Sequence, residues 1–203
     1  MRLGLFGGTF DPVHLGHLLL AERCREECEL DEVWFVPAHR PPHKSNATIT
    51  EGVARCEMLE FATAGCPQFH VSQIELKREP PSYTVDTLAQ LHADDPSREL
   101  FFLIGADSLN DLPTWREPER IAELATIVAV NRGEQQLRQA ETLCSHLGEA
   151  IAKRVRLVTM PACDISSSNI RSRVAARKSV RFMIPRAVEV YIANKGLYRQ
   201  VDR

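Results

Sequence analysis

Short apolar runs alternate with longer stretches of mixed polarity from one end of the chain to the other. An uninterrupted apolar run such as 100–104 is typical of a strand that is buried on both faces of a parallel sheet. Runs of this kind predict strands at 2–6, 32–36, 69–76, 100–104, 126–130 and 155–160. The stretches between and after them predict helices at 18–30, 51–64, 83–92, 118–125, 134–153, 167–177 and 185–194.

Small residues mark the expected ends of several of these helices. Thr50 precedes the helix at 51–64 and Ser82 precedes the helix at 83–92, so both are predicted N-caps. Gly196 is the expected end of the last helix, because glycine readily adopts the left-handed conformation that terminates helices.

The alternation of strands and helices predicts an α/β fold, a doubly wound, Rossmann-like parallel sheet with helices on both faces. The chain has 203 residues and no repeat or linker, so a single domain over 1–203 is predicted. Ligands in such folds bind beyond the carboxyl ends of the strands. We therefore expect the functional site near Gly7 and Gly8 and near the loops after Val36, Ile104 and Met160.

Composition narrows the possible partners and the compartment. The formal charge of −2 gives no reason to expect a nucleic acid or an anionic membrane as a partner. No apolar run approaches the roughly 18 residues of a membrane span. The N-terminus does not resemble a signal peptide, so a cytoplasmic location is expected. The 6 cysteines form no C-x-x-C pair and are interpreted as small buried thiols.

The junction between the first predicted strand and helix carries the strongest chemical pattern, a Gly-Gly-Thr triplet followed by His-x-Gly-His, within Gly7 to His17. Two glycines in a turn there allow backbone N–H groups to approach a phosphate, and the helix N-terminus adds a positive dipole end. The pattern is neither a Walker loop nor the G-x-G-x-x-G dinucleotide fingerprint. The alternative is a tight turn followed by two histidines that are ordinary cap or surface residues. A pair of histidines, His14 and His17, directly after this triplet favours a polyphosphate that undergoes chemistry.

A second polar cluster, three serines at 166–168 followed by Arg171, comes after the last predicted strand. The serines offer an N-cap, hydroxyls and N–H donors. Arg171 is predicted on the first helical turn, where its guanidinium is suited to bidentate binding of phosphate oxygens. The alternative is a serine-rich cap with a solvated arginine.

These two motifs together resemble the signature of the nucleotidyltransferase superfamily with the His-x-Gly-His motif. Within it, the chain is similar to the bacterial nicotinate-nucleotide adenylyltransferases. Further landmarks of that branch are present, and with the motifs they run from residue 4 to 198: Pro41-Pro42-His43-Lys44, Ser82-Tyr83-Thr84, Gly105-x-Asp107 with Trp115, and Lys195-Gly196-Leu197-Tyr198.

The resemblance implies transfer of AMP from ATP to nicotinate mononucleotide, which gives nicotinate adenine dinucleotide and pyrophosphate. It also implies a nucleotidylyltransferase type of fold in which the C-terminal helices, about 167–195, complete the ATP site. Mg²⁺ is expected to be carried with ATP, with no protein-only metal site and no tightly bound organic cofactor. The transfer is expected to be a direct in-line attack without a covalent intermediate. A homo-oligomer is left open.

The resemblance also implies roles for individual residues. His14, His17 and Arg171 would be catalytic, binding the ATP phosphates and stabilising the departing pyrophosphate. The implied ATP-binding residues are Gly7, Gly8, Thr9, Phe10, His14, His17, Gly105, Asp107, Ile165, Ser167, Ser168 and Arg171. The implied residues for the mononucleotide are Lys44, Thr84, Trp115 and Arg132. In this scheme Trp115 stacks on the nicotinate ring, the Thr84 loop meets its carboxylate, and Asp107 accepts hydrogen bonds from a ribose or a neighbouring polar group.

Several alternatives remain open at the level of sequence. Trp115 could instead only cover the core, Lys44 could be a loop charge and Asp107 a helix N-cap. Many relatives have asparagine at the position of Ala38, so a side-chain contact from that position is lost or taken over by His39. The competing functions are another adenylyltransferase of the superfamily, acting on nicotinamide mononucleotide or pantetheine phosphate, and a non-catalytic nucleotide-binding regulator.

Overall fold

A single parallel sheet organises the chain in the computed structural model, which describes residues 1–39, 49–132 and 147–199. The strand order is β3-β2-β1-β4-β5-β6, and every pair of neighbours is parallel. The strands are β1 (Arg2–Gly8), β2 (Glu32–Pro37), β3 (Phe69–Val71), β4 (Glu99–Gly105), β5 (Thr126–Arg132) and β6 (Val155–Met160). The predicted doubly wound, Rossmann-like fold class is confirmed.

Helices connect these strands and cover the sheet. In the described residues they are α1 (Leu15–Glu27), α2 (Gly52–Thr63), α3 (Thr84–Asp94), α4 (Ser108–Asp111), α5 (Pro118–Leu124), α6 (Glu149–Ala152), α7 (Ser167–Ala175) and α8 (Arg186–Lys195). The short helix α4 and the 3₁₀ turn Leu112–Thr114 that follows it were not predicted. Of the helix predicted at 134–153, residues 133–146 lie outside the described residues.

The strand order reverses between β1 and β4. The chain runs outward from β1 through β2 to β3 and then returns to pair β4 with the other side of β1. In open α/β sheets a crevice forms beyond the carboxyl ends of the strands at such a reversal. This topology places the end of β1, which carries Gly7 and Gly8, beside the end of β4.

The sheet separates two apolar layers, which explains the apolar runs in the sequence. On β4, Phe101 and Leu103 pack with the layer that includes α1, α2 and α8, whereas Phe102 and Ile104 pack with α3 and α5 on the opposite face. All four side chains are buried. Because both faces of a central parallel strand are covered, the strand is apolar throughout rather than alternating.

Gly4 is the point of closest packing between β1 and its surroundings. A Cβ at this position would lie 2.7 Å from Leu30 Cδ1, 3.2 Å from Val33 Cγ2 and 3.3 Å from Leu103 Cδ1. These neighbours are themselves buried, so glycine is needed here for packing.

Several predicted boundaries are wrong for identifiable reasons. Helix α1 begins at Leu15, three residues before the predicted start of 18, because His14 occupies the N-cap position. Thr50 does not cap α2; Glu51 takes that position, and the Thr50 N–H donates to the carboxylate of Asp11. Ser82 does not cap α3, because the helix starts one residue later with Tyr83 at the N-cap.

Strand β3 is shorter than predicted. It ends at Val71, and the chain then turns, with the Lys77 N–H donating to the Gln73 carbonyl. Thus the second half of the predicted strand 69–76 is a loop that leads toward α3.

The cysteines only partly match their interpretation as buried thiols. Cys24, Cys28 and Cys56 are buried, and burial raises the pKa of each thiol. Cys66 is exposed, so the prediction is wrong there, because this residue lies in the turn that follows α2. Cys163 is half-buried, and Cys144 lies outside the described residues. In the described part of the chain, no helix has the length and apolar character needed to cross a membrane.

We expect Gly4→Ala to lower the free energy of unfolding by about 1–3 kcal/mol, because the added methyl group overpacks a filled site. Gly105→Ala is the matched control, since no atom lies within 4 Å of the Cβ position there. Its effect should stay below about 0.5 kcal/mol. Urea unfolding followed by circular dichroism measures both values. Equal stability of Gly4→Ala and wild type would contradict the packing argument.

Candidate functional site

Gly7 and Gly8 form the end of β1 rather than a turn, which corrects the sequence-based expectation. They pair in register with Val36 and Pro37 of β2. A Cβ on Gly8 would lie 2.9 Å from the ring of Phe10, so the protein's own packing requires this glycine. A Cβ on Gly7 would meet nothing closer than Phe102 Cε2, at 3.8 Å. Gly7 is exposed, so the space above it is open to a ligand.

Phe10 anchors the loop that follows β1. Its φ of 50° lies in the left-handed region, which is uncommon for a bulky residue. The ring is 2% exposed and packs at centroid distances of 5.3 Å from Phe6, 5.7 Å from Phe35 and 5.1 Å from His17. These contacts hold the unusual backbone conformation in place. The ring thus supports His17, and a contact from Phe10 to ATP would have to come from its backbone.

The two histidines of the His-x-Gly-His motif stack on each other at the start of α1. Their ring centroids are 3.6 Å apart with an angle of 21° between the planes. A Cβ on Gly16 would lie 3.1 Å from His14 Nδ1, so the intervening glycine is what leaves room for the buried His14 ring. In the structure His14 is the N-cap of α1 and His17 lies three residues later, in the first turn.

A hydrogen bond orients the His17 ring. The backbone N–H of His14 donates to His17 Nδ1 over 3.2 Å. Because Nδ1 is the acceptor, the proton of the neutral ring lies on Nε2. His17 is half-buried, and in this tautomer the N–H donor of its ring is Nε2.

The C-terminal part of the chain closes on the start of α1. The Leu15 N–H donates to the Met183 carbonyl over 3.0 Å. This donor at the start of α1 is therefore already used within the protein. The contact fixes α1 against the segment that precedes α8.

The three serines before Arg171 have three different positions. Ser166 is the N-cap of α7 and accepts from the Asn169 N–H over 3.2 Å. The Ser167 hydroxyl donates to the Pro12 carbonyl over 2.8 Å. Ser168 is exposed, with its hydroxyl 3.2 Å from that of Ser166. Ile165 just before them is half-buried and packs against the apolar core.

Arg171 lies on the second turn of α7, one turn later than predicted. Its Nη1 donates to the Asp11 carbonyl over 2.7 Å, between residues that are 160 positions apart in sequence. The guanidinium is half-buried, so the alternative of a solvated arginine is wrong. Ser167 and Arg171 of the second motif therefore contact the loop between β1 and α1, which is part of the first motif. The sequence could pair these two motifs only by resemblance.

The carboxylate of Asp11, which the sequence reasoning did not select, lies at the centre of this loop and is 3% exposed. One oxygen accepts from the Tyr198 hydroxyl over 2.6 Å and the other from the Thr50 N–H over 3.2 Å. Burial, followed by the hydrogen bond to Asp11, raises the pKa of the Tyr198 phenol, so this hydroxyl remains a donor. The C-terminal end of α8 is thereby tied to the first loop of the chain.

Arg55 is the second group that the sequence reasoning missed. It is 1% exposed and donates to three backbone carbonyls: Nε to Thr50 over 2.9 Å, Nη1 to Thr9 over 2.8 Å, and Nη2 to Ala38 over 2.8 Å. Burial lowers the pKa of this guanidinium, and the charge of Asp11 opposes that shift. One buried cation thus joins the ends of β1 and β2 to the start of α2.

The pattern of α2 did contain a signal for Arg55. Apolar residues at 56, 58 and 59 mark the inner face of the helix, and Arg55 falls on the same face. A charged residue at such a position needs several partners to be buried, which predicts a network around it.

Trp115 and Thr84 lie on the opposite face of the sheet from the histidines. The Trp115 ring packs edge-on to Phe102 with centroids 5.8 Å apart, and Phe102 Cε2 is also the side-chain atom that a Cβ on Gly7 would meet, at 3.8 Å. Trp115 is half-buried, so it both covers the core and keeps an accessible surface.

Thr84 is the first residue of α3. Its neighbours contact the residue after Trp115: the Arg116 guanidinium lies 4.8 Å from the Tyr83 ring centroid and 3.7 Å from the Asp86 carboxylate. The structure therefore brings the Thr84 and Trp115 segments together.

The remaining predicted residues have varied positions. Gly105 ends β4 with open space at its Cβ position, and Asp107 is exposed at the N-cap position of α4 without a side-chain capping hydrogen bond. His39 Nδ1 lies 2.9 Å from the Arg78 carbonyl. Lys44 and the side chain of Arg132 lie outside the described residues. Within the described ranges, no group of three or more His, Cys, Asp or Glu residues is placed to hold a metal ion.

Comparison with known proteins adds to this geometry. The family described as cytidylyltransferase-like matches residues 5–173. A protein of Thermomicrobium roseum, named probable nicotinate-nucleotide adenylyltransferase, is 47% identical over 202 residues, which are 99% of this chain and 93% of the relative. A protein of the same name from Thermus thermophilus is 48% identical over 199 residues, which are 98% of this chain and 100% of the relative.

Solved structures share the fold. The nicotinic acid mononucleotide adenylyltransferase of Plasmodium falciparum complexed with NaAD matches with a TM-score of 0.77 over 97% of both chains, at 20% sequence identity. The same enzyme complexed with APC matches with a TM-score of 0.76. At this identity the likeness concerns the architecture alone.

We expect Arg55→Met to lower the free energy of unfolding by about 3–5 kcal/mol, because it removes the donor to three carbonyls and leaves Asp11 without its buried counter-charge. Arg23→Met is the matched control. Arg23 pairs with Glu26 and Glu27 on the surface of α1, and its loss should change stability by less than about 1 kcal/mol. Denaturant unfolding compares the two, and similar small effects would refute the central role of Arg55.

Proposed function

The chain belongs to the cytidylyltransferase-like family, and we propose that within this family it transfers AMP from ATP to nicotinate mononucleotide. The products are nicotinate adenine dinucleotide and pyrophosphate, in a step of NAD biosynthesis. The observation that carries the proposal is the identity of 47% and 48%, over almost the whole chain, to relatives named for this reaction. The geometry supports it, because the stacked histidines and Arg171 gather at one loop beside the open end of β1.

The proposed reaction needs alignment and charge neutralisation. A phosphate oxygen of the mononucleotide attacks the α-phosphorus of ATP, and the bond from that phosphorus to the oxygen bridging to the β-phosphate breaks. The bonding electrons leave with pyrophosphate, so negative charge grows on the leaving group. Groups that are positioned in advance around that charge can supply most of the catalysis of such transfers. We therefore propose a direct in-line attack without a covalent enzyme intermediate.

ATP is proposed to bind in the crevice between the ends of β1 and β4. The exposed backbone at Gly7 lets the α-phosphate approach the strand end, because there is no side chain above it. The orientation of the His17 ring makes Nε2–H the donor to a phosphate oxygen. His14 is the second histidine of the phosphate site, and its ring stacks on that of His17.

Arg171 is proposed to hold the phosphates from the side of α7. It donates to the Asp11 carbonyl through one nitrogen, and a guanidinium carries five N–H donors in all. The exposed Ser168 hydroxyl belongs to the same helix start. Mg²⁺ is proposed to enter with ATP, bound largely by the phosphates, and to neutralise part of their charge. The exposed Asp107 is proposed to accept a hydrogen bond from a ribose.

The acceptor is proposed to bind on the side of Trp115 and Thr84. The accessible part of the Trp115 ring offers a stacking surface for the pyridine ring. Backbone and hydroxyl donors at the start of α3, near Thr84, are suited to a carboxylate, since the N-terminus of a helix favours negative charge. Lys44 and Arg132 stay predicted contacts of the mononucleotide phosphate. A homo-oligomer and a cytoplasmic location also stay predictions.

We expect His17→Ala to lower kcat by about 10²–10³ with the fold retained, because a donor to the developing charge is lost. His92→Ala is the matched control, since His92 is exposed on the last turn of α3, away from the carboxyl ends of the strands. It should keep the wild-type kcat. Continuous detection of released pyrophosphate measures both. A His17→Ala enzyme with near wild-type kcat would exclude this role, and a wild-type protein that releases no pyrophosphate would favour a non-catalytic regulator.

We expect kcat/KM for nicotinate mononucleotide to exceed that for nicotinamide mononucleotide by at least about tenfold. The reason is that donors arranged for a carboxylate are poorly matched by a neutral amide that also carries its own N–H groups. The two substrates are compared at the same saturating ATP concentration, and Trp115→Ala should raise KM for the acid without changing KM for ATP. Equal kcat/KM values for acid and amide would contradict the proposed acceptor.

A further inference from the structure

We propose that Tyr198 is a positioning residue that keeps Arg171 directed at the ATP phosphates, by occupying the carboxylate of Asp11 that would otherwise capture Arg171. The inference rests on the proposed function of the same site. It assigns a catalytic purpose to the last turn of the described chain, which lies outside the segments that contact nucleotide in the proposal above.

Asp11 presents two different acceptors to two different partners. Its backbone carbonyl accepts from Arg171 Nη1 over 2.7 Å, whereas its carboxylate accepts from the Tyr198 hydroxyl over 2.6 Å. The Thr50 N–H supplies the other carboxylate oxygen over 3.2 Å. Arg171 therefore lies beside a buried carboxylate and binds only the backbone of that residue.

Electrostatics decides whether Arg171 binds the carboxylate or the backbone carbonyl of Asp11. A guanidinium and a carboxylate form charge-assisted, often bidentate hydrogen bonds, which are stronger than a bond to a neutral carbonyl. A buried carboxylate that loses a donor also retains its full desolvation cost. Among the described residues, the two cations near Asp11 are Arg55 and Arg171, and each nitrogen of Arg55 already donates to a backbone carbonyl. Without the phenol, Arg171, which already binds the backbone of Asp11, is therefore the cation left to supply that donor. An Arg171 bound to Asp11 would have its charge neutralised and its fork turned away from the phosphates.

The backbone after α8 places the Tyr198 phenol beside Asp11. Helix α8 ends at Gly196, whose φ of 64° is in the left-handed region, and the Leu197 N–H donates back to the Ile192 carbonyl over 3.1 Å. Tyr198 follows with a φ of 62°, also left-handed, which is uncommon for a residue with a side chain. Such a conformation persists when its surroundings hold it, here through core packing of Leu197 and Tyr198 and the bond to Asp11.

The test is a double-mutant cycle between Tyr198→Phe and Arg171→Gln, in the full-length protein. Calorimetric binding of pyrophosphate and KM for ATP are measured for wild type, both single variants and the double variant. Tyr198→Phe should weaken pyrophosphate binding and raise KM for ATP by about tenfold, since one charge-assisted contact is lost. KM for nicotinate mononucleotide should not change. In the Arg171→Gln background the same substitution should change binding by less than about twofold.

Tyr191→Phe is the matched control, because the Tyr191 phenol also donates to a carboxylate, that of Glu57, on the face where α2 and α8 pack. It should leave pyrophosphate binding and kinetics unchanged. The Asp11→Asn, Tyr198→Phe variant lacks both the carboxylate that would bind Arg171 and the hydroxyl that occupies it. It should therefore bind pyrophosphate within about threefold of wild type. Because Asp11 is also the counter-charge of Arg55, urea unfolding first establishes that every variant is folded, and binding is compared well below the onset of unfolding.

An equal loss from Tyr198→Phe in both Arg171 backgrounds would overturn the proposal, since it would mean that Tyr198 only docks the chain terminus. The same conclusion would follow if the Asp11→Asn, Tyr198→Phe variant bound pyrophosphate as weakly as Arg171→Gln. Pyrophosphate binding can be measured without nicotinate mononucleotide. A wild-type protein that binds pyrophosphate without adenylating nicotinate mononucleotide would therefore refute the proposed function and leave the test of Tyr198 intact.

Discussion

The buried guanidinium of Arg55 is the constraint on which the functional end of the sheet depends. It has little contact with solvent and satisfies the carbonyls of Thr9, Ala38 and Thr50 at once. A cation in such a place is stable only when its donors are used and an opposite charge is near. Asp11 supplies that charge. The ends of β1 and β2 and the start of α2 are consequently held in one arrangement before any ligand binds, which is the preorganisation that phosphoryl transfer exploits.

The histidine pair inherits its geometry from this frame. The loop fixed at Thr9 passes through Phe10, whose left-handed backbone turns the ring under Gly8 and against His17. Gly16 then leaves the space in which His14 stacks on His17. Gly8 thus makes room for the ring of Phe10, and Gly16 makes room for the ring of His14. Gly7, which has no such neighbour within 3.8 Å, is the one whose small size faces the crevice.

Residues near the C-terminal end of the chain complete the candidate site. Ser167 and Arg171 bind the carbonyls of Pro12 and Asp11, while Tyr198 binds the Asp11 carboxylate. These contacts use one short loop as the common platform for both motifs. A chain that lacked its C-terminal helices would therefore lose Arg171, the proposed phosphate ligand, together with the donors that satisfy this loop. This links the stability of the region to its proposed chemistry.

The sequence alone determined the order of strands and helices, the doubly wound class, the pairing of the two motifs and the family resemblance. The order of elements and the fold class follow from apolar runs and local spacing, which are properties of neighbouring positions. The pairing of the two motifs follows from the family resemblance. Tertiary structure alone decided that Thr50 serves Asp11 instead of capping α2, that Arg171 binds a backbone carbonyl, and that Arg55 and Tyr198 belong to the site. The physical reason is that a buried polar group takes whichever partner the fold brings within hydrogen-bond distance, and partners up to 187 residues apart leave no periodic trace in the sequence.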